Sequence, residues 1–122
     1  MEAVYPRHVL IVDDNLSLAE NIAEILQLDG HITRFVGSAE DAFPNALHDE
    51  PDVVVTDFRL PGINGAVFVK QFLGTHKHAR AIVISAHTDA TTIEAVTNAG
   101  ATFMAKPVDL KLLGRWVCES SG

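Results

Sequence analysis

Basic residues are scarce. Nine lysines and arginines stand against sixteen aspartates and glutamates, for a formal charge of −7. A phosphate backbone demands a basic face, so the charge argues against direct nucleic-acid binding, and most of the acidity serves solubility. Cysteine is nearly absent: Cys118 is the only one, and no disulfide can form within the chain. No apolar run approaches the ~20 residues of a membrane-crossing helix, and no signal-peptide pattern opens the sequence. Membrane insertion is therefore not expected, and the cytoplasm is the expected location. Glycine-rich phosphate cradles are also missing. Gly62-Ile63-Asn64-Gly65 lacks the spacing of a dinucleotide fingerprint, and there is no Walker-type lysine loop. His76-Lys77-His78 offers two imidazoles, too few ligands for a zinc site.

What is present is an ordinary globular balance, 48% hydrophobic and 20% charged over 122 residues. That length makes one domain with a real core. Residues 1–122 read as that single domain, with its core at about 7–118 and a tail or truncated linker at 119–122. Five strand-like runs, roughly His8–Val12, Ile32–Val36, Val53–Thr56, Ala81–Ser85 and Thr102–Ala105, alternate with helical stretches. Most are aliphatic on both faces, as in a parallel sheet covered on both sides. Thr33 and Arg34 interrupt the second, which suits a sheet edge. The first helix repeats Leu18, Ile22, Ile25 and Leu26 at three- and four-residue spacing and stops at Asp29-Gly30. A helix of about 14 residues spans roughly 21 Å and a six-residue strand roughly 20 Å. Each helix can therefore return the chain to start the next parallel strand, which predicts a doubly wound α/β domain. Ser38 caps the second helix, where Pro44 predicts a kink or a short first turn. Thr91, Thr92 and Thr97 make the fourth helix weak, and the fifth starts at Asp109.

Polar groups stand where four strands end: Asp13 and Asp14 after the first, Asp57 after the third, Ser85 after the fourth and Lys106 after the fifth. In an open α/β sheet, ligands bind outside the carboxyl ends of the strands, where strand order reverses. With the first strand central, that point lies between Asp13-Asp14 and Asp57. Alone, Asp13 or Asp14 reads as a helix cap and Asp57 as a turn residue; four such groups at four strand ends point to a site. Two carboxylates about 5 Å apart repel by roughly 3 kcal/mol at an effective dielectric near 20. Three together need a cation, and oxygen ligands alone suit magnesium. A carboxylate beside a metal ion and an ammonium can attack phosphorus while the two cations neutralise the phosphoryl oxygens, one of which Ser85 can bond.

Val12-Asp13-Asp14, Asp57, Leu60-Pro61-Gly62 with Asn64-Gly65, Ser85-Ala86 and Lys106-Pro107 together resemble the receiver domain of two-component response regulators, the CheY-like superfamily, over about residues 7–118. The resemblance implies a flavodoxin-like fold, a five-stranded parallel sheet in order 2-1-3-4-5 with five helices. It implies that Asp57 accepts a phosphoryl group from a histidine kinase or phosphotransfer protein. Magnesium, or manganese, would be held by Asp14, Asp57 and the main-chain carbonyl of Arg59, with Asp13 acting through water. Ser85 and Lys106 would bond the phosphoryl group. Phe103 would be the aromatic switch residue, rotating into space left by Ser85. The face of helix four, strand five and helix five would then change shape for an output domain or protein, and is open to homodimerisation. The domain would catalyse only its own phosphorylation and dephosphorylation.

Two departures matter. Phe103 has no hydroxyl, so a switch that needs a tyrosine hydrogen bond is unavailable. Arg59 and His87 each lie two residues beyond a site residue, Asp57 and Ser85, and are expected to overhang the phosphoryl group and set its lifetime. Two rivals remain open from the sequence. A haloacid-dehalogenase-type phosphatase would want a second acid where Arg59 stands, and a cap that the chain lacks. A receiver-like module could bind partners without phosphorylation.

Overall fold

The computed structural model describes residues 6–48 and 50–119. Three of the four residues of the expected tail, 120–122, lie outside the described residues. The elements alternate strictly: β1 (His8–Val12), α1 (Leu16–Leu28), β2 (Ile32–Val36), α2 (Ala39–His48), β3 (Val53–Asp57), α3 (Gly65–Thr75), β4 (Arg80–Ser85), α4 (Ala90–Asn98), β5 (Thr102–Ala105) and α5 (Leu110–Cys118). All pairings are parallel and the order is β2-β1-β3-β4-β5. The sheet expected from the sequence is thus the sheet observed, with β3 and β4 each one residue longer.

Side chains on a strand point alternately to opposite faces, and here the alternation separates two cores. Leu10, Val12, Val54 and Val83 pack with Ala42, Phe68, Phe72 and Val96 under α2, α3 and α4. Val9, Ile11, Val55, Ile82 and Ile84 pack with Ile22, Leu26, Leu113 and Val117 under α1 and α5. Every residue of β3 is buried, because it is central and covered on both sides. β2 is the edge that Thr33 and Arg34 announce; none of its residues is fully buried. Phe68 and Phe72 are wholly buried, and truncating either to alanine would cost about 3–5 kcal/mol.

The helix starts are built by side-chain caps. Asn15, Asn64, Asp89 and Asp109 each accept a hydrogen bond from the backbone N–H three residues on, at Leu18, Val67, Thr92 and Leu112. Ser38 does the same for α2, accepting from Asp41 N–H at 3.1 Å. α2 then runs through Pro44 without the short first turn expected there, and the Asn45 carboxamide donates to the Asp41 carbonyl at 3.0 Å, beside the missing donor. The threonines of α4 have partners: Thr92 Oγ1 donates to Asp89 Oδ1, and Thr97 Oγ1 donates to the Ile93 carbonyl at 2.6 Å.

Two contacts hold the lower ends of the elements. Arg80, opening β4, donates from Nη1 to the carbonyls of Trp116 (3.0 Å) and Glu119 (2.8 Å), and its guanidinium stacks 4.2 Å from the Trp116 ring centroid. His31, buried before β2, accepts at Nδ1 from the Arg7 N–H at 3.0 Å, and its Nε2 lies 3.4 Å from Cys118 Sγ. Because Nδ1 accepts, the ring proton is on Nε2 and points at the sulfur.

Candidate functional site

Four loops leave the carboxyl edge of the sheet, after β1, β3, β4 and β5, and each delivers one part of the site. After β1 the N–H of Asp13 is bonded to the Val36 carbonyl (3.0 Å), tying the first acid to β2. Asp13 Oδ1 accepts from the Asn15 N–H at 2.9 Å, and Asn15 in turn caps α1. Asn15 thus takes the capping role that Asp13 or Asp14 would have if read alone, and both acids are left for the site.

Asp57 is the last residue of β3 and is buried, as is Asp13, while Asp14 is exposed. Carboxylate oxygens of Asp13, Asp14 and Asp57 lie within 4.8 Å of one another, the one such metal-capable group among the described residues. The backbone around Asp57 is closely built. Phe58 N–H reaches the Ile84 carbonyl at 2.8 Å, and Gly65 N–H returns to the Phe58 carbonyl at 2.6 Å. A Cβ on Gly65 would collide with the Asp57 carbonyl. Only glycine lets the start of α3 come this close, so the Asn64-Gly65 pair is part of the frame that aims Asp57.

Lys106, just past β5, places Nζ 3.1 Å from Asp57 Oδ1. The Lys106-Pro107 peptide is cis. Ser85, at the end of β4, is buried, and its Oγ accepts from the His87 N–H at 2.9 Å. A hydroxyl that accepts one bond still has its proton to donate. The five groups expected to meet at one edge therefore do so, on both sides of the gap between β1 and β3.

Electrostatics follow from this crowding. The carboxyl of Asp13 titrates above the ordinary value of 3.8, chiefly because burial disfavours the anion. The Asn15 N–H works against this, and the charge of Asp57 adds to it. A buried acid whose anion is unwelcome, facing two further carboxylates, is a place for a small hard cation with oxygen ligands.

Arg59 and His87 are both exposed and do come together, but first with each other: Arg59 Nε donates to His87 Nε2 at 2.9 Å. An accepting Nε2 makes the imidazole neutral in this bond, so the pair is one cation and its acceptor. The sequence spacing placed both residues, yet gave no sign that they pair. Phe103 is half-buried on β5, two residues before the Ala105 that pairs with Ser85, and packs against the α2–α3–α4 side of the core. His76 stacks on Phe72, 4.2 Å between ring centroids.

Residues 9–117 match the family model described as the response regulator receiver domain. A response regulator receiver protein of Anaeromyxobacter sp. (strain Fw109-5) is 36% identical over 103 residues, covering 84% of this chain and 43% of that protein. Sporulation initiation phosphotransferase F of Bacillus subtilis (strain 168) is 27% identical over 103 residues, covering 84% of this chain and 83% of its own. The chain spans about half the length of several curated relatives it matches, which include DNA-binding response regulators of mycobacteria. In fold, a CheY-like response regulator receiver domain protein from Methanospirillum hungatei JF-1 superposes with a TM-score of 0.86 at 19% identity, over 93% of this chain and 91% of that one. Among the described residues no helix is long and apolar enough to cross a membrane.

Proposed function

Because the chain belongs to the receiver-domain family of two-component response regulators, we propose that Asp57 is its phosphoacceptor. An oxygen of the Asp57 carboxylate attacks the phosphorus of a phosphohistidine on a histidine kinase or phosphotransfer protein. The P–N bond breaks, its electrons leave with the imidazole nitrogen, and an acyl phosphate remains on Asp57. Water later attacks phosphorus, releasing inorganic phosphate and restoring the carboxylate. In this reading the domain catalyses only these two reactions on itself, in the cytoplasm.

The observation that carries the proposal is the position of Asp57, buried at the sheet edge with Lys106 Nζ at 3.1 Å and the oxygens of Asp13 and Asp14 within 4.8 Å. Asp13, Asp14, Asp57 and the Arg59 carbonyl would hold magnesium or manganese. That ion supplies positive charge to the oxygens of the incoming phosphoryl group. Lys106 supplies the same from the protein side, and the Ser85 hydroxyl donates to one of those oxygens. When Ser85 turns inward, Phe103 follows into the space it leaves. The α4–β5–α5 face then takes its second shape for an output domain or protein, or for a second copy of the chain.

Incubation with a divalent cation and acetyl phosphate tests this directly. Intact-mass measurement should show one added phosphoryl group, labile to hydroxylamine, that is absent from Asp57→Asn. No adduct on the wild-type chain would refute the assignment and favour a module that works without phosphorylation.

A further inference from the structure

The side of the domain formed by α1 and α5 has a groove of about 650 Å³, floored by Ile25, Leu110 and Gly114 and rimmed by charged groups. Leu28 stands at its edge 86% exposed, the most exposed large apolar side chain among the described residues. The charges are sorted by helix. α1 has Glu20 and Glu24 and ends on Asp29, with no lysine or arginine; α5 has Lys111 and Arg115, with acids only at its two caps, Asp109 and Glu119. The side chains of Glu20, Glu24, Lys111 and Arg115 make no ion pair or hydrogen bond with any described residue.

We propose that this face is an interface between two copies of the chain, related by a two-fold axis running along the groove. Such an axis exchanges the helices while keeping each residue at its own height. The acidic α1 of each copy then meets the basic α5 of the other, twice over. The register suits this. A Cβ on Gly114 would lie 3.3 Å from Asp29 Oδ2, so the end of α1 is level with the middle of α5. Counting back from there at ~1.5 Å per residue, Glu24 is ~7.5 Å and Lys111 ~4.5 Å above that level. Glu24 thus comes within ~3 Å in height of Lys111 on the second copy, and Asp29 meets Arg115. Leu28 loses its water against the facing groove.

A partner of one charge sign would be attracted by one helix and repelled by the other, whereas a second copy satisfies both. The interface is separate from the α4–β5–α5 face. That face uses the other side of α5, where Leu112 lines a second cavity with Phe103 and Trp116.

Sedimentation velocity of the 122-residue chain over a concentration series tests the proposal, with melting curves confirming that each variant is folded. A concentration-dependent dimer that weakens with added salt is expected. Glu24→Lys and Lys111→Glu should each raise the dimer dissociation constant roughly tenfold or more, and the double variant should recover most of the loss. Leu28→Glu should give a monomer, and Leu112→Glu should leave the dimer unchanged. A wild-type chain that stays monomeric at every concentration overturns the proposal. So does a dimer that ignores both charge reversals, or a double variant no better than its parents.

Discussion

Arg59 and His87 reach across from two different loops and share one hydrogen bond, Nε to Nε2 at 2.9 Å. The two residues follow Asp57 and Ser85 by two positions. On the proposed function, this bond would hold the guanidinium in the path of the hydrolytic water. Arg59→Ala and His87→Ala are each expected to speed loss of the phosphoryl group about tenfold, ~1.4 kcal/mol of barrier. Since the two act through one contact, the double variant should be little faster than either single. The check is the decay of phosphorylated protein after the donor is removed. A double variant with wild-type decay would dispose of this role.

Lys106 is the only cation the protein itself brings to Asp57, at 3.1 Å, among the described residues. Lys106→Met should fold, keep its metal ligands and lose about a hundredfold in the rate of phosphoryl uptake, the usual scale for removing a charge-stabilising group. Timed incorporation from acetyl phosphate measures this.

The acid cluster makes a stability prediction with a definite sign. Asp13 titrates above 3.8 in the folded chain because it is buried, with Asp57 pushing the same way against the Asn15 N–H. The folded state therefore holds that proton more tightly than the unfolded one. The resulting stabilisation is full below about pH 4 and is lost as pH rises through the folded value. Melting curves in chelator should show this loss in the wild type and not in Asp13→Asn. Excess magnesium should restore the wild type selectively.

His31 has the opposite sign. Burial and the charge of Arg7 hold its imidazole below the ordinary value of 6.5, against the pull of Asp29. Its Nδ1 accepts from the Arg7 N–H, so a second ring proton has no place to go. Stability should be full above about pH 6.5 and fall as pH drops through the folded value. His31→Gln should flatten this part of the profile in urea titrations at successive pH values.

Gly65→Ala should disturb both fold and site. The added Cβ meets the Asp57 carbonyl and comes within 3.0 Å of Phe58 Cα, both backbone atoms that cannot swing aside. A loss of about 1–3 kcal/mol is expected in chemical denaturation, together with slower phosphoryl uptake as Asp57 shifts.

Much of this molecule was legible in its sequence, for local reasons. The strands betray themselves by aliphatic runs ending in polar residues, and the polar residues mark the carboxyl edge on which the site stands. Asp57, Asp13, Asp14, Ser85 and Lys106 come together there because parallel topology puts all strand ends on one side. Illegible features depend on which side chain wins a local competition or on contacts far apart in sequence. Asn15 rather than an aspartate caps α1, since Asp13 turns back to the Asn15 N–H. Helix α2 absorbs Pro44 within its length. Neither the Arg59–His87 bond, 28 residues apart, nor the His31–Cys118 contact, 87 apart, leaves a pattern to read.

The acids, the hydroxyl and the ammonium stand at the ends of four separate strands, and none of these brings more than a fragment of the site. An unfolded chain therefore has nothing with which to grip an ion. Whatever cation the edge prefers should act as a staple across the whole sheet, adding ~2.7 kcal/mol to global stability when present at a hundred times its dissociation constant. Ranking metals by how far each one raises the melting temperature would read the selectivity of the pocket without any phosphate present.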